Sequence, residues 1–223
     1  APRAIGVDEI SIRKGHNYRV IVSDLDRGRP IWVGGEGRKV ADIDLFFMAL
    51  GERKSRRIEL AAMDMWKPFK NSVLKNAPNA RIIFDKFHIM RHLSKALDEV
   101  RRREYTRLSG KDRSYIKGQR YTLLSRRENL NLDGRRALKK LLQANKRLNT
   151  AYVLKEAFGE LWNYRTERGA RAFFERWKDS LKWQRLEPYR KFARLIESHW
   201  DGIASYCNTE NKVSLGLVEG VNN

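Results

Sequence analysis

Two aspartates occupy places where this chain has little reason to carry charge. Asp8 lies inside IGVDEIS, flanked by Ile5, Val7, Ile10 and Ile12, and Asp64 closes the apolar run ELAAMD. A buried carboxylate is costly unless it is paired or bound to a metal. An acid at a strand end, such as Asp64, has an ordinary alternative as a helix N-cap. An acid in mid-strand, such as Asp8, needs an arginine partner or an ion. A third acid, Glu219, stands alone in the closing stretch SLGLVEGVNN. It is either a stray surface charge or a distant member of the same site. Hard divalent cations such as Mg²⁺ take carboxylate oxygens, and two of them about 3.5–4 Å apart activate a hydroxyl and stabilise the departing oxygen of a phosphodiester. Bound ions also reverse the repulsion that such acids would exert on a polyanion.

Neighbouring residues add candidates. Glu9 follows Asp8, but successive strand residues face opposite ways, so only one of the two can aim into a shared site. Asp85 ends the run ARIIFD, with an accessory metal role and a helix cap both open. His88 could orient a carboxylate or contact phosphate, against a purely structural role. The four histidines, at 16, 88, 92 and 199, form no HExxH, so a zinc site is rejected. Trp66 and Lys67, beside Asp64, could stack on an unpaired base and touch phosphate, although a core role for Trp66 is an equal alternative. Gly216 and Gly220 are i, i+4 around Glu219 and would bare one side of a helix for close approach to a sheet.

The charge balance names the partner class. Lys and Arg number 47 against 27 Asp and Glu, a net charge of +20. Such an excess favours polyanions, and its spread through structured-looking segments favours nucleic acid over a membrane surface. No window approaches the roughly 18 continuous apolar residues of a membrane span. Cys207 is the single cysteine, which excludes an intrachain disulfide and fits a reducing, cytoplasmic setting.

These residues must be held by two unlike regions. AIGVDEISIR, NYRVIVSDL and IWVGG read as strands joined by the turns KGHN and DRGRP. VADIDLFFMALG follows as a helix with Val40, Ile43, Phe47 and Leu50 on one stripe. RIELAAMD reads as a buried strand, WKPFKNSVLKNAP as a helix that tolerates Pro68 in its first turn, and ARIIFD as another buried strand. GGEG at 34–37 has neither dinucleotide nor P-loop spacing and reads as a loop. From about residue 88 to 207 the pattern is helical. FHIMRHLSKALDEVRRREY places Ile89, Leu93, Ala96, Leu97 and Val100 on one face, with Arg101, Arg102 and Arg103 near its end as candidate DNA contacts. DGRRALKKLLQANKRL, AYVLKEAFGELWNY, ERGARAFFERWKDSLKW and PYRKFARLIESHWDGIASY continue in the same style.

IGVDEIS, AAMDMWKPFKNSVLKNAPNARIIFDKFHIMRHLSKALDEVRR and LVEGVNN together resemble the catalytic region of bacterial insertion-sequence transposases of the ISL-three family. That family belongs to the DDE class, and the resemblance covers essentially the whole chain. It implies an α/β fold: a ribonuclease-H-like mixed five-stranded sheet with a large all-helical insertion before the closing helix. The implied division is a core over 1–87, a basic helical insertion over 88–208, and the start of the closing helix over 209–223. The resemblance makes Asp8, Asp64 and Glu219 the catalytic and metal-binding acids, holding two Mg²⁺ or Mn²⁺ ions. It further implies double-stranded DNA as partner, both transposon ends and target, a homodimer in a synaptic complex, and a cytoplasmic, nucleoid-associated location.

Two other readings stand beside DNA cleavage and strand transfer. One is a catalytically inactive or domesticated DNA-binding module, the other a ribonuclease-H-like nuclease without strand transfer. Family members usually carry an N-terminal zinc-binding and helix-turn-helix region, so the chain, which begins directly at the first strand, reads as a fragment.

Overall fold

A computed structural model describes residues 1–13, 17–211 and 213 of the chain. The KGHN turn falls largely outside them, as do Gly216, Glu219 and Gly220. The architecture is mixed α/β: one five-stranded mixed sheet with mostly helical structure after it. Two compact units emerge. One comprises residues 1–88, 165–167 and 199 onward; the other comprises 89–164 and 168–198.

The sheet belongs to the first unit. Strands β1 (Ala4–Arg13), β2 (Asn17–Asp24) and β3 (Arg29–Gly34) form an antiparallel meander. Helices α1 (Val40–Leu50) and α2 (Glu52–Ser55) lead to β4 (Leu60–Met63), and α3 (Lys67–Asn76) leads to β5 (Arg81–Phe84). β4 and β5 are parallel to β1, giving the order β3-β2-β1-β4-β5. β4 is buried along its whole length, which explains its unbroken apolar run. Pro68 sits in the first turn of α3, where its missing N–H costs no helical bond.

On α1 the buried stripe is Ile43, Phe46 and Phe47, with Val40 and Leu50 only half-buried. Asp44, on the same helix, accepts hydrogen bonds from Lys75 Nζ (2.9 Å) and Asn76 Nδ2 (2.7 Å) and from the Ser72 hydroxyl, pinning α1 to α3. Before α1 the GGEG loop wraps a single carboxylate. Asp42 accepts from Glu36 N (3.0 Å) and Lys39 N (2.7 Å). Gly35 has φ +73°, and a Cβ there would lie 2.8 Å from that of Asp42, so only glycine fits the loop.

α4 (Lys86–Arg107) begins directly after β5 and carries the chain into the second unit. That unit continues through α5 (Gly110–Gly118), α6 (Arg120–Leu124), α7 (Leu132–Ala144), α8 (Lys146–Gly159), α9 (Glu167–Ser180) and α10 (Glu187–Ser198). Asn131 and Asn145 cap α7 and α8, accepting from Gly134 N (2.8 Å) and Leu148 N (2.9 Å). Edge-to-face contacts of Phe158 with Trp177 (4.9 Å) and Phe192 (5.0 Å) hold α8, α9 and α10 together. Trp177 Nε1 and the Tyr189 hydroxyl donate to the carbonyls of Leu154 and Ala151, so both buried polar tips are satisfied. None of the described helices is long and apolar enough to cross a membrane.

α11 (Trp200–Tyr206) returns the chain to the first unit and packs on β5. The approach is close. A Cβ at Gly202 would stand 2.5 and 2.6 Å from two ring carbons of Phe84, and the His199 ring meets the same phenyl edge-to-face at 5.4 Å.

Candidate active site at the ends of the parallel strands

Register brings three acids to one level. Val7 pairs with Met63, and Met63 with Phe84, across three adjacent parallel strands. The next residue on each is an aspartate: Asp8, Asp64 and Asp85. Neighbouring strands are about 4.8 Å apart, so the row is compact. The Asp85 N–H still donates to Met63 O at 2.9 Å, which carries the ladder one residue past the end of β5.

Each carboxylate is fixed by backbone. Asp8 is only 4% exposed, and its Oδ1 accepts from Glu9 N at 2.8 Å. Asp64, half-buried, accepts from Met65 N at 2.6 Å in the same way. It does not cap α3, whose N-cap residue is Trp66, with no side-chain capping bond. Asp85, 2% exposed, accepts from Phe87 N at 2.8 Å and so caps α4, while its second oxygen takes the Nδ1–H of His88 at 3.1 Å.

His88 reads the row electrostatically. Its pKa is raised, first by the hydrogen bond to Asp85, against burial, and then by the charges of Asp64, Asp85 and Asp8. All three aspartates therefore act on one imidazole. Among the described residues, no group of three or more His, Cys, Asp or Glu could hold a metal ion. Glu219, the third acid expected from sequence, lies outside them.

Glu9, on the other face of β1, is paired with Arg38, whose Nε donates to Glu9 Oε2 at 2.6 Å. The same guanidinium lies 5.1 Å from the Trp66 ring and 5.4 Å from that of Tyr18. Trp66 is exposed, and its indole N–H donates to Arg38 O at 2.9 Å, so it is a surface bracket and not core. Lys67 is exposed beside it. Arg38 was not singled out from sequence. The signal available was Glu9, an acid in an apolar strand that needed a cation on its own face.

The Arg101–Arg103 run divides by burial. Arg101 is 7% exposed and donates to Asp98 at 2.8 Å, so it is a structural cation. Arg102 shares Asp98 at 3.4 Å and Arg103 bonds Glu99 at 2.5 Å, and both reach solvent.

A family model, DDE_Tnp_ISL3, described as Transposase, matches residues 5–223. The chain belongs to the ISL-three transposase family. The transposase for insertion sequence element IS1001 of Bordetella parapertussis is 30% identical over 222 residues, covering 98% of this chain and 54% of that protein. The transposase for insertion sequence element IS1557 of Mycobacterium tuberculosis is 28% identical over 243 residues, covering 99% and 54%. This transposase-family chain thus spans about half the length of the curated relatives it matches. No solved structure matches it. Its positive charge is uneven: residues 89–198 carry 29 Lys and Arg against 13 Asp and Glu, a net of +16 out of the +20 total.

Proposed function

We propose that this chain is the catalytic part of an insertion-sequence transposase that cleaves DNA and transfers the freed 3′-hydroxyl end to a target strand. The observation that carries the reading is the in-register row of Asp8, Asp64 and Asp85 at the ends of adjacent parallel strands in a strongly basic chain. An antiparallel meander extended by two parallel strands is also the order that a ribonuclease-H-like core calls for. In this reading residues 1–87 form the core, 88–208 an inserted helical region, and 209–223 the start of the closing helix. α11, from Trp200, already packs on β5.

Asp8 and Asp64 offer only carboxylate oxygens, the donor set that suits Mg²⁺ or Mn²⁺, and Glu219 completes the proposed trio. Two such ions, when bound there, supply Lewis-acid stabilisation of the attacking and leaving oxygens. The protein's own part is orientation. The N–H groups of Glu9 and Met65 fix one oxygen of each aspartate, so these side chains lose little freedom in use. Asp85 holds α4 and His88 in place beside them. Arg38 and Lys67 supply cations for phosphate, and Trp66 an aromatic face for a displaced base. Arg102 and Arg103 give further phosphate contacts. The substrates are double-stranded transposon ends and target, engaged by two copies in a synaptic complex.

The test is a joining assay with a labelled 3′-hydroxyl DNA end and Mg²⁺ or Mn²⁺. Asp8→Asn, Asp64→Asn and Glu219→Gln are each expected to abolish the joined product while leaving DNA binding largely intact. Full metal-dependent joining by Glu219→Gln would remove that residue from the site. Cleavage without joined product by the unaltered chain would favour a nuclease.

A further inference from the structure

The turn between α9 and α10 carries a residue that the catalytic reading does not use. Leu181 and Leu186 are buried, and between them Lys182, Trp183, Gln184 and Arg185 all face solvent. Trp183, which the sequence pattern had assigned to a helix, is 89% exposed, the most exposed large apolar side chain among the described residues. A single exposed hydrophobic is ordinary. The bracing of this one is not. Gln184 N donates to Leu181 O at 3.2 Å, closing a turn with Lys182 and Trp183 at its two central positions. Arg190 donates to Lys182 O at 2.8 Å and Arg147 to Arg185 O at 2.6 Å, so a guanidinium clamps the backbone on each side of the tryptophan. Arg185 has φ 50°, a left-handed conformation that a non-glycine residue keeps only when its surroundings enforce it. Below the turn, Lys178 bridges α9 to Glu197 on α10 at 3.0 Å.

We propose that Trp183 is a stacking platform for an unpaired DNA base, with Lys182 and Arg185 taking the flanking phosphates. An indole face accepts any base, and adjacent cations track the backbone of the strand. A backbone braced before binding leaves only the indole's own rotamers to be fixed when it stacks, which lowers the entropy lost on binding. The cations are available. Among the described residues Lys182 pairs only with Asp179, at 3.0 Å and with both side chains exposed, a contact weak enough for phosphate to displace. Arg185 forms no ion pair among the described residues. Beside the turn lies a groove of about 470 Å³ in which Lys178, Lys182, Arg190 and Arg194 outnumber the acids Asp179 and Glu197. The concentration of positive charge in residues 89–198 favours a polyanion over an acidic protein surface. The choice of DNA as that polyanion rests on the transposase reading; the inference adds that strands are engaged where they are unpaired.

The experiment measures binding of the full chain, by fluorescence anisotropy, to a paired duplex and to the same duplex with a three-nucleotide bulge. Trp183→Ala and Trp183→Phe are compared with the unaltered protein, and thermal unfolding checks that each variant folds. The unaltered chain is expected to prefer the bulged duplex, and Trp183→Ala to lose about 5- to 150-fold on it alone, the span typical of one stacked base. Trp183→Phe keeps most of the preference. Equal binding of both duplexes by Trp183→Ala and the unaltered chain overturns the inference and leaves the transposase reading standing. An equal loss on both duplexes also overturns it, since stacking would then not be the cause. Failure of the unaltered chain to bind either duplex overturns the inference together with the DNA reading beneath it. Trp183-dependent binding to phosphatidylserine vesicles without preference for the bulge overturns it in favour of a membrane contact.

Discussion

Replacing Gly202 by alanine tests whether α11 is pressed onto the strand that ends at the acidic row. The added Cβ would lie 2.5 Å from Phe84 Cδ2, 2.6 Å from Cε2 and 3.3 Å from Cγ, where ordinary contacts begin near 3.4 Å. Phe84 is 1% exposed, so its ring has no free volume to turn into. Overpacking of this kind costs about 1–3 kcal/mol. Alanine recovers about 1 kcal/mol of helix propensity, which leaves a net destabilisation of up to about 2 kcal/mol. Gly159, the last residue of α8, is the control. It has helical φ −56° and ψ −27°, and a Cβ there meets nothing within 4 Å, so Gly159→Ala should stabilise by about 0.5–1 kcal/mol. Urea unfolding of the two variants should therefore shift in opposite directions. Phe84→Leu, which removes ring atoms, should cost less in the Gly202→Ala background than alone, a coupling that a double-mutant cycle detects. Joining activity should fall in Gly202→Ala and not in Gly159→Ala, because β5 leads directly into Asp85. If Gly202→Ala unfolds at the same urea concentration as Gly159→Ala, the close packing of α11 on β5 is wrong.

Three further outcomes follow from the site and its surroundings. In metal-free buffer, His88 should titrate above its ordinary value near 6.5, and Asp85→Asn should lower that midpoint more than Asp64→Asn, because the bond to Asp85 is the largest cause. A raised folded pKa means that His88 contributes stability fully below about pH 6.5 and loses it as pH rises through the folded value, readable by NMR titration beside urea unfolding. Arg38→Ala should cost about 1–2 kcal/mol and open Trp66 to acrylamide quenching, since that guanidinium bonds Glu9 and lies over the indole. Asp98→Ala strands the buried Arg101 without its partner and should destabilise by about 3 kcal/mol in urea unfolding, whereas Glu99→Ala, which releases the exposed Arg103, should cost under about 1 kcal/mol.

The elements that hold the acids were legible because each rests on local sequence. The apolar runs of β4 and β5 are short, bounded and each closed by aspartate, so the C-terminal strand ends could be placed to within one residue, and Pro68 marked the first turn of α3. Pairing partners were less local. That Val7, Met63 and Phe84 share a row follows from parallel register, which no single segment encodes. Helical periodicity gave α1 but missed Phe46, because a stripe drawn through Val40 and Leu50 ignores that the ends of a helix are freer than its middle. The Arg101–Arg103 run looked uniform as charge. Only tertiary burial separates Arg101, shut in with Asp98, from its exposed neighbours. Trp183 read as the end of a helix because its spacing suits one, and what breaks α9 is a set of backbone bonds from Arg147 and Arg190 that arrive from elsewhere in the chain.

The same distinction bears on what the acids can be for. A lone buried aspartate is explained by any nearby donor, and Asp85 is a case in point, since capping α4 and holding His88 account for both of its oxygens. Asp64 has a thinner account, a single bond from the Met65 N–H to one of its oxygens. It caps no helix, it stays half-buried, and no Lys or Arg pairs with it among the described residues. With Asp8 on the adjacent strand, two carboxylates stand on one row, and their mutual repulsion is an expense that folding alone gives no reason to bear. If the acids were relics without function, Asp64→Asn should leave stability unchanged or raise it and leave joining untouched. If they hold ions, the same variant should gain stability without metal, lose joining, and no longer be stabilised by added Mg²⁺ as the unaltered chain is. A thermal shift series over Mg²⁺ concentration, run beside the joining assay, separates these cases, and an unchanged Mg²⁺ response in Asp64→Asn would take that residue out of the site.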